Sequence, residues 1–386
     1  MLVSFDTPST LWVGAGARFR LAEEVQRLGV GRILLVTDQH LLSTGILDDF
    51  QAQCQSEHIE VNIFPQVQPD PTDENVAAGL KHLRECAAEA LVAIGGGSVM
   101  DAAKIIGIAV NNPESLSAFQ GYHKIPKSGL PLIAVPTTAG TGSETTKAAV
   151  ITDTTRQVKM MIFDRKLLPR VSLVDYELSL SMPPQLTAHV GIDTLAHGIE
   201  AFVSRKASGM TDPLALSCIQ LTARYLPMAY QEPGNREARE AMALAACQGG
   251  MAFTNSSVCL VHGMSRPLGA IFHLPHGLSN AVLLPSVTRF SLRGAPARYK
   301  QIAHEMDFSR NRTSDESAGE ALQEGLKALN AQLGIPTLRE CVRVPQSEFE
   351  SYLDKMAEDA LASGSPQNNP VVPSANEIRD LYRSAW

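Results

Sequence analysis

The chain has 386 residues, 44% of them hydrophobic and 19% charged, which is an ordinary globular balance with enough length for two cores. A net charge of −7, with no basic stripe interleaved with aromatics, excludes nucleic acid as the main partner. The opening MLVSFDTPSTLW lacks an export-signal pattern and no apolar run is long enough to span a membrane, while the six cysteines are scattered without a CxxC pair; together these fit a cytoplasmic chain with reduced thiols.

From the N-terminus, strand-like and helix-like stretches alternate. GRILLVTDQH and VNIFPQV read as short buried strands, ENVAAGLKHLRECAAEA as an amphipathic helix, and ALVAIGGGS as a strand ending in glycines. DAAKIIGIAV follows as a helix, LPLIAVPTT as a strand, and KMMIFD and VSLVDY as further strand candidates. Short apolar strands between helices indicate a parallel sheet covered on both faces. Near Pro183–Pro184 the pattern changes, and two prolines there suit the opening of a helix. PPQLTAHVGIDTLAHGIEAFV, DPLALSCIQLTARYL, REAREAMALAACQGGMAF and ESAGEALQEGLKALNAQLG all repeat at helical period. SGSPQNNPVVPS reads as a loop, after which Ser374 and Glu377 form a capping-box pattern for a last short helix. The expected organisation is an α/β domain over residues 1–182 and a helical domain over 183–386.

The most informative residues are Asp193 and His197, four apart and therefore on one helical face. Small and apolar neighbours place them in a buried setting, where an unpaired carboxylate is costly. His262 and His276 follow, 14 residues apart; Pro275 and Gly277 argue against one continuous helix, so a helix end and the loop returning to it are expected. Three imidazoles and one carboxylate suit a divalent ion such as Fe(II) or Zn. His189, four residues before Asp193, reads as a packing residue.

Gly95, Gly96 and Gly97 stand between a strand and a helix. Without Cβ atoms they let backbone N–H groups approach a ligand, and a helix N-terminus suits a pyrophosphate. Ser98 with Asp101 also matches a capping box, which is a structural role alone. The spacing is neither GxGxxG nor a Walker loop. Asp38, which ends the strand ILLVTD, is placed to accept ribose hydroxyls and to repel a 2′-phosphate, favouring NAD over NADP. The loop PTTAGTGSETT either lines a nucleotide site or is a flexible surface turn.

With GGGSVMDAAK, PTTAGTGSETT, GIDTLAHGIEAF and HGMSRPLGAIFHLPHGLSNAVLLP in this order, nearly the whole chain resembles the iron-containing alcohol dehydrogenases. The resemblance implies a Rossmann-like α/β domain followed by an all-α domain, the dehydroquinate synthase-like arrangement. It implies iron bound by Asp193, His197, His262 and His276, and NAD(P) contacts from Asp38, Gly97, Ser98, Thr137, Thr138 and Lys159. It also implies reduction of aldehydes or ketones, or oxidation of alcohols, in a homodimer or larger homo-oligomer. A dehydroquinate synthase-like lyase, a maleylacetate reductase-like activity and a non-catalytic descendant are the alternatives; the complete ligand set speaks against the last two.

One position departs from the family pattern. Many relatives carry a histidine four residues after the third ligand, and here that residue is Arg266. Arginine stays protonated and is a poor base. His273 is the nearest titratable substitute in sequence for proton transfer, although a partner of a ligand would look the same. Arg266 itself either pairs with an acid or clamps an anionic substrate such as a hydroxy acid or semialdehyde.

Overall fold

The computed structural model describes residues 2–156, 158–309 and 314–386. The chain forms two compact units: Asp6–Leu180, and Ser181–Trp386 with the short stretch before Asp6.

In the first unit, β1 (Thr10–Val13), α1 (Leu21–Arg27), β2 (Arg32–Val36), α2 (Gln39–Ser43), α3 (Asp48–Ser56), β3 (Glu60–Phe64), α4 (Asp73–Glu85), β4 (Ala90–Gly95) and α5 (Gly97–Ala109) come first. β5 (Gly121–Tyr122), β6 (Leu132–Pro136), β7 (Ala148–Asp153), β8 (Val158–Phe163) and β9 (Val171–Val174) complete it. The main sheet runs β1-β9-β6-β4-β2-β3 with every pair parallel. β4 and β6 are buried along their whole length, which is why they read as unbroken apolar runs. Side chains alternate between two cores. Leu34, Val36, Leu91 and Ala93 join Val76, Leu83, Ile105 and Ile106 of α4 and α5. Ile33, Leu35, Val92 and Ile94 join Leu21, Val25 and Phe50 of α1 and α3. Each fully buried Leu, Ile or Val contributes roughly 1.5–3 kcal/mol of transfer free energy. A second sheet, β5-β8-β7, contains the antiparallel pair β7–β8.

The second unit contains α6 (Pro184–Val203), α7 (Asp212–Gln231), α8 (Arg236–Asn255), α9 (Leu260–Phe272), α10 (His276–Ser291), α11 (Pro296–Glu305), α12 (Asp315–Gln332), α13 (Leu338–Val342), α14 (Gln346–Ala362) and α15 (Ala375–Ala385). Among the described residues no strand follows Val174, and no helix is long and apolar enough to cross a membrane. Pro184 is the first residue of α6, where its missing N–H costs nothing. α6 packs against α7, α8 and α10 and is buried without a break from Gly191 to Val203. Arg239, 1% exposed, ties its start to α8 by donating to Thr187 Oγ1 at 2.8 Å and Met182 O at 3.0 Å. A buried guanidinium is tolerated there because those acceptors replace water. The segment 363–374 is irregular apart from a short 3₁₀ turn, Pro366–Asn368, and the Ser374–Glu377 capping box is formed.

Candidate metal centre

Asp193 and His197 lie one turn apart in α6, 1% and 4% exposed. His262 is the third residue of α9, and His276 is the first of α10. The expectation of a helix end and a returning loop is therefore corrected: both histidines stand at helix starts. α9 stops at His273, whose φ of 54° is left-handed, and Pro275 precedes the first turn of α10. The two imidazoles nonetheless meet, with ring centroids 5.2 Å apart. The sequence signal for α9 was obscured by Pro267 inside it.

Around Asp193 the side chains converge. Its Oδ1 is 3.5 Å from His262 Nε2 and 3.7 Å from Nε2 of both His197 and His276. One ligand atom each from Asp193, His262 and His276 falls within 4.8 Å of the others. The His197 ring stacks on Phe253 and on His262, with centroids 4.3 and 4.7 Å apart. Asn280 Nδ2 donates to Asp193 Oδ1 at 2.6 Å and lies 3.2 Å from Nε2 of both His262 and His276. Its Oδ1 is buried without a hydrogen-bond partner.

The electrostatics agree with this crowding. Burial opposes ionisation of Asp193, but the imidazoles of His197, His276 and His262 hold its carboxyl well below the usual carboxylate range. Burial alone would lower His262, yet Glu200 and Asp193 raise it to about 9. His276 moves down, through burial of its inner edge and the nearby positive charge of His262, His197 and Arg266; Asp193 opposes the shift. Its side chain is 44% exposed, so solvent at the outer edge moderates the fall. A buried carboxylate held ionised beside an imidazole that keeps its proton fits a site for a divalent cation, which would replace that proton. One hard oxygen and three nitrogens are the donor set such an ion takes.

Glu200 was not singled out by sequence reasoning. It is 2% exposed, its Oε2 lies 2.6 Å from His262 Nδ1, and its Oε1 accepts the Val261 N–H at 2.6 Å. The available signal was its position seven residues after Asp193, two turns along the same face. Arg266, half-buried one turn after His262, donates from Nη1 to Ser365 Oγ at 3.0 Å. His273 is exposed and makes no hydrogen bond to the four clustered side chains. His189 is half-buried in α6, and burial lowers it.

In the α/β unit, Asp38, Gly95–Gly97 and Thr137–Thr138 lie at the C-terminal ends of the adjacent parallel strands β2, β4 and β6. Asp38 does not end the strand itself, since β2 stops at Val36. Asp38 caps α2, with Oδ1 accepting the Leu41 N–H at 2.8 Å. α5 begins at Gly97 with Gly96 as an uncapped N-cap. The Ser98–Asp101 capping box is thus absent: the glycine backbone enters the helix before Ser98, which becomes its second residue. Asp101 instead accepts from Ser143 Oγ at 3.0 Å and Val150 N at 2.9 Å. A Cβ on Gly97 would sit 2.8 Å from Thr141 Cγ2, so the glycine is needed for contact with the 136–146 loop whatever else it does.

That loop is not an exposed surface turn. Thr137 and Ser143–Lys147 are buried, and Lys104 pins it by donating to Ser143 Oγ at 2.9 Å, Thr146 Oγ1 at 3.1 Å and Ala148 O at 2.8 Å. Burial pushes Lys104 down to about 8 and Glu144 up to about 7. Lys159 is on β8, with Nζ 2.7 Å from Asp70 Oδ1.

A parallel sheet with a glycine turn at its carboxyl edge, followed by a helical unit in which Asp193, His262 and His276 could hold a metal ion, defines a Rossmann-like α/β protein with a helical second unit. The particular family follows from comparison. The profile described as iron-containing alcohol dehydrogenase matches residues 8–176, and that of the family's C-terminal part matches 187–386. The chain belongs to the iron-containing alcohol dehydrogenase family and is an oxidoreductase of that family. It is 36% identical to the NAD-dependent methanol dehydrogenase of Bacillus methanolicus, covering 100% of both chains. It is 32% identical to the NADPH-dependent butanol dehydrogenase of Clostridium saccharobutylicum, covering 100% of this chain and 99% of the relative. The crystal structure of a 1,3-propanediol oxidoreductase superposes with a TM-score of 0.96 at 36% identity and 100% coverage of both chains.

Proposed function

We propose that the protein is a metal-dependent, NAD(H)-linked oxidoreductase that interconverts a small alcohol with its aldehyde or ketone. The observation that carries this reading is the convergence of Asp193, His262 and His276 ligand atoms within 4.8 Å, with His197 Nε2 3.7 Å from the same carboxylate oxygen. These four residues would hold Fe(II) or another divalent ion. Bound there, the ion would supply Lewis-acid polarisation of the substrate oxygen while the nicotinamide carries the redox equivalents.

The chain's own residues would bind and orient. The turn Gly95–Gly97 and the first N–H groups of α5 would receive the pyrophosphate, with Ser98, Thr137 and Thr138 beside it. Asp38 would accept ribose hydroxyls and oppose a 2′-phosphate, which favours NAD. Lys159 would contact the dinucleotide as a positive charge. Arg266 holds its proton and cannot be the base, so proton exchange would run through water or through solvent-open His273. An anionic substrate is a second reading, supported by Arg266, which is half-buried one turn after His262, because a guanidinium can pair with a carboxylate in two parallel bonds.

One experiment tests these readings together. Metal is measured in the purified chain, and NADH and NADPH consumption are followed over short aldehydes, ketones and semialdehydes, with wild type and Arg266→Ala. Turnover that depends on metal and prefers NADH is expected. No bound metal and no turnover with any substrate would sink the main reading. Equal losses by Arg266→Ala on neutral and carboxylated aldehydes of similar length would remove the clamp.

A further inference from the structure

The geometry points to Glu200 as a positioning residue that fixes which nitrogen of His262 faces the centre, while it caps the helix that carries that histidine. The inference rests on the metal reading above and concerns a side chain that would not itself be a ligand. Both carboxylate oxygens are used. Oε1 accepts the Val261 N–H at 2.6 Å, and Oε2 meets His262 Nδ1 at 2.6 Å. A carboxylate offers acceptors only, so Nδ1 carries the proton in that bond. The lone pair of a neutral ring is then on Nε2, the nitrogen 3.5 Å from Asp193 Oδ1.

The second oxygen matters as much. Val261 is the second residue of α9, whose N-cap, Cys259, makes no side-chain cap. Its N–H is one of the donors a helix start leaves unpaired, and Glu200 satisfies it from another helix. Asp193, His197 and Glu200 share α6, so this one carboxylate holds the start of α9 in register with the helix supplying the other two proposed ligands. Glu200 and His262 are 2% and 3% exposed, leaving little room for water to take over either bond.

Glu200→Gln is nearly isosteric but has one acceptor and one donor facing two N–H groups. It cannot serve both without turning His262 to the other tautomer or leaving Val261 unpaired. A control for simple loosening of α9 is Tyr382→Phe, which removes the 2.6 Å bond from the Tyr382 hydroxyl to Met264 O. Wild type, Glu200→Gln, Glu200→Asp and Tyr382→Phe are stripped with chelator and titrated with Co(II). Kd from chelator competition, the visible d–d bands and the Tm of the metal-free protein are recorded, with no turnover involved. Glu200→Gln is expected to raise the Co(II) Kd roughly 10- to 100-fold and shift the d–d bands. Glu200→Asp, which keeps the charge, should fall between it and wild type and serves in its place if the Gln variant does not fold. Tyr382→Phe should lower Tm with Kd unchanged. Unchanged Kd and bands in every folded Glu200 variant overturn the role of Glu200 alone. A wild-type chain that takes up no Co(II) overturns the metal centre and this inference together.

Discussion

At the centre built from α6, α9 and α10, side chains crowd toward one point; at the turn between β4 and α5 side chains are missing and backbone is what is presented. Asp193 is surrounded by three imidazole nitrogens at 3.5–3.7 Å. Gly97 has space for a hydrogen and nothing larger, because Thr141 Cγ2 fills the place of a Cβ. The first region depends on residue chemistry and the second on residue absence. They should therefore fail differently when changed.

The largest effect is expected at the first. Asp193→Asn keeps the shape but removes the charge that gathers the imidazoles. Metal uptake should be lost, and turnover should fall by roughly 10³-fold or more, the scale of several kcal/mol of Lewis-acid stabilisation. Metal content per chain and NADH formation are the checks. A variant that keeps its metal would show that Asp193 is not what assembles the cluster.

Gly97→Ala probes the second region. Binding of NAD should weaken about tenfold or more, equivalent to at least about 1.4 kcal/mol, with metal content unchanged. The double variant Gly97→Ala, Thr141→Ala separates two reasons for the glycine. Removing the Thr141 methyl relieves the clash and should restore thermal stability. If NAD affinity returns as well, the glycine serves packing; if it does not, the glycine also serves ligand approach.

The loop behind that turn supplies a pH test. Burial raises Glu144 from 4.5 to about 7, and the charge of buried Lys104 only partly opposes it. In this window the unfolded chain has released a proton that the folded chain keeps, so the contribution of Glu144 to stability falls as pH rises. Glu144→Gln cannot ionise and should escape the fall. Relative to wild type it should gain about 1–3 kcal/mol between pH 5 and 7.5, read from urea midpoints. Parallel curves for the two proteins would mean that Glu144 is already ionised at pH 5 in the folded state.

These contrasts also explain what the sequence made legible. β4 and β6 are buried on both faces, and their unbroken apolar runs announced a parallel sheet. Helical period announced α6, α7, α8 and α12. Asp193 and His197 stood out because one helix puts them one turn apart without any tertiary information. Glu200 did not, because its task depends on Val261 and His262 arriving from another helix. The Ser98–Asp101 pattern misled for a related reason. Local spacing matched a cap, but tertiary bonds to Ser143 and Val150 took Asp101 away. Lys104 and Glu144 carried no sequence signal, since ordinary helix and loop positions become charged burial only once β7 packs on α5.

Where a local pattern meets no tertiary competitor, it forms as written, and the smallest predicted effect lies there. Ser374 and Glu377 make the reciprocal cap of α15: Glu377 N donates to Ser374 Oγ at 3.3 Å, and Ser374 N donates to Glu377 Oε2 at 2.9 Å. Ser374→Ala removes the first bond, together with the one the Ser374 hydroxyl donates to Glu377 Oε2 at 3.0 Å, and leaves the second. Glu377 also keeps its ion pair with Arg293 at 2.7 Å, and buried Ile378 and Tyr382 still anchor the helix. The loss should therefore be about 1 kcal/mol or less, a Tm decrease of about 2–4 °C or less. NADH formation and metal content should match wild type, in contrast to Asp193→Asn. A fall in either would mean that the start of α15 is coupled to the centre through Tyr382, which donates to Met264 O on α9, and that the centre depends on more of the helical unit than α6, α9 and α10.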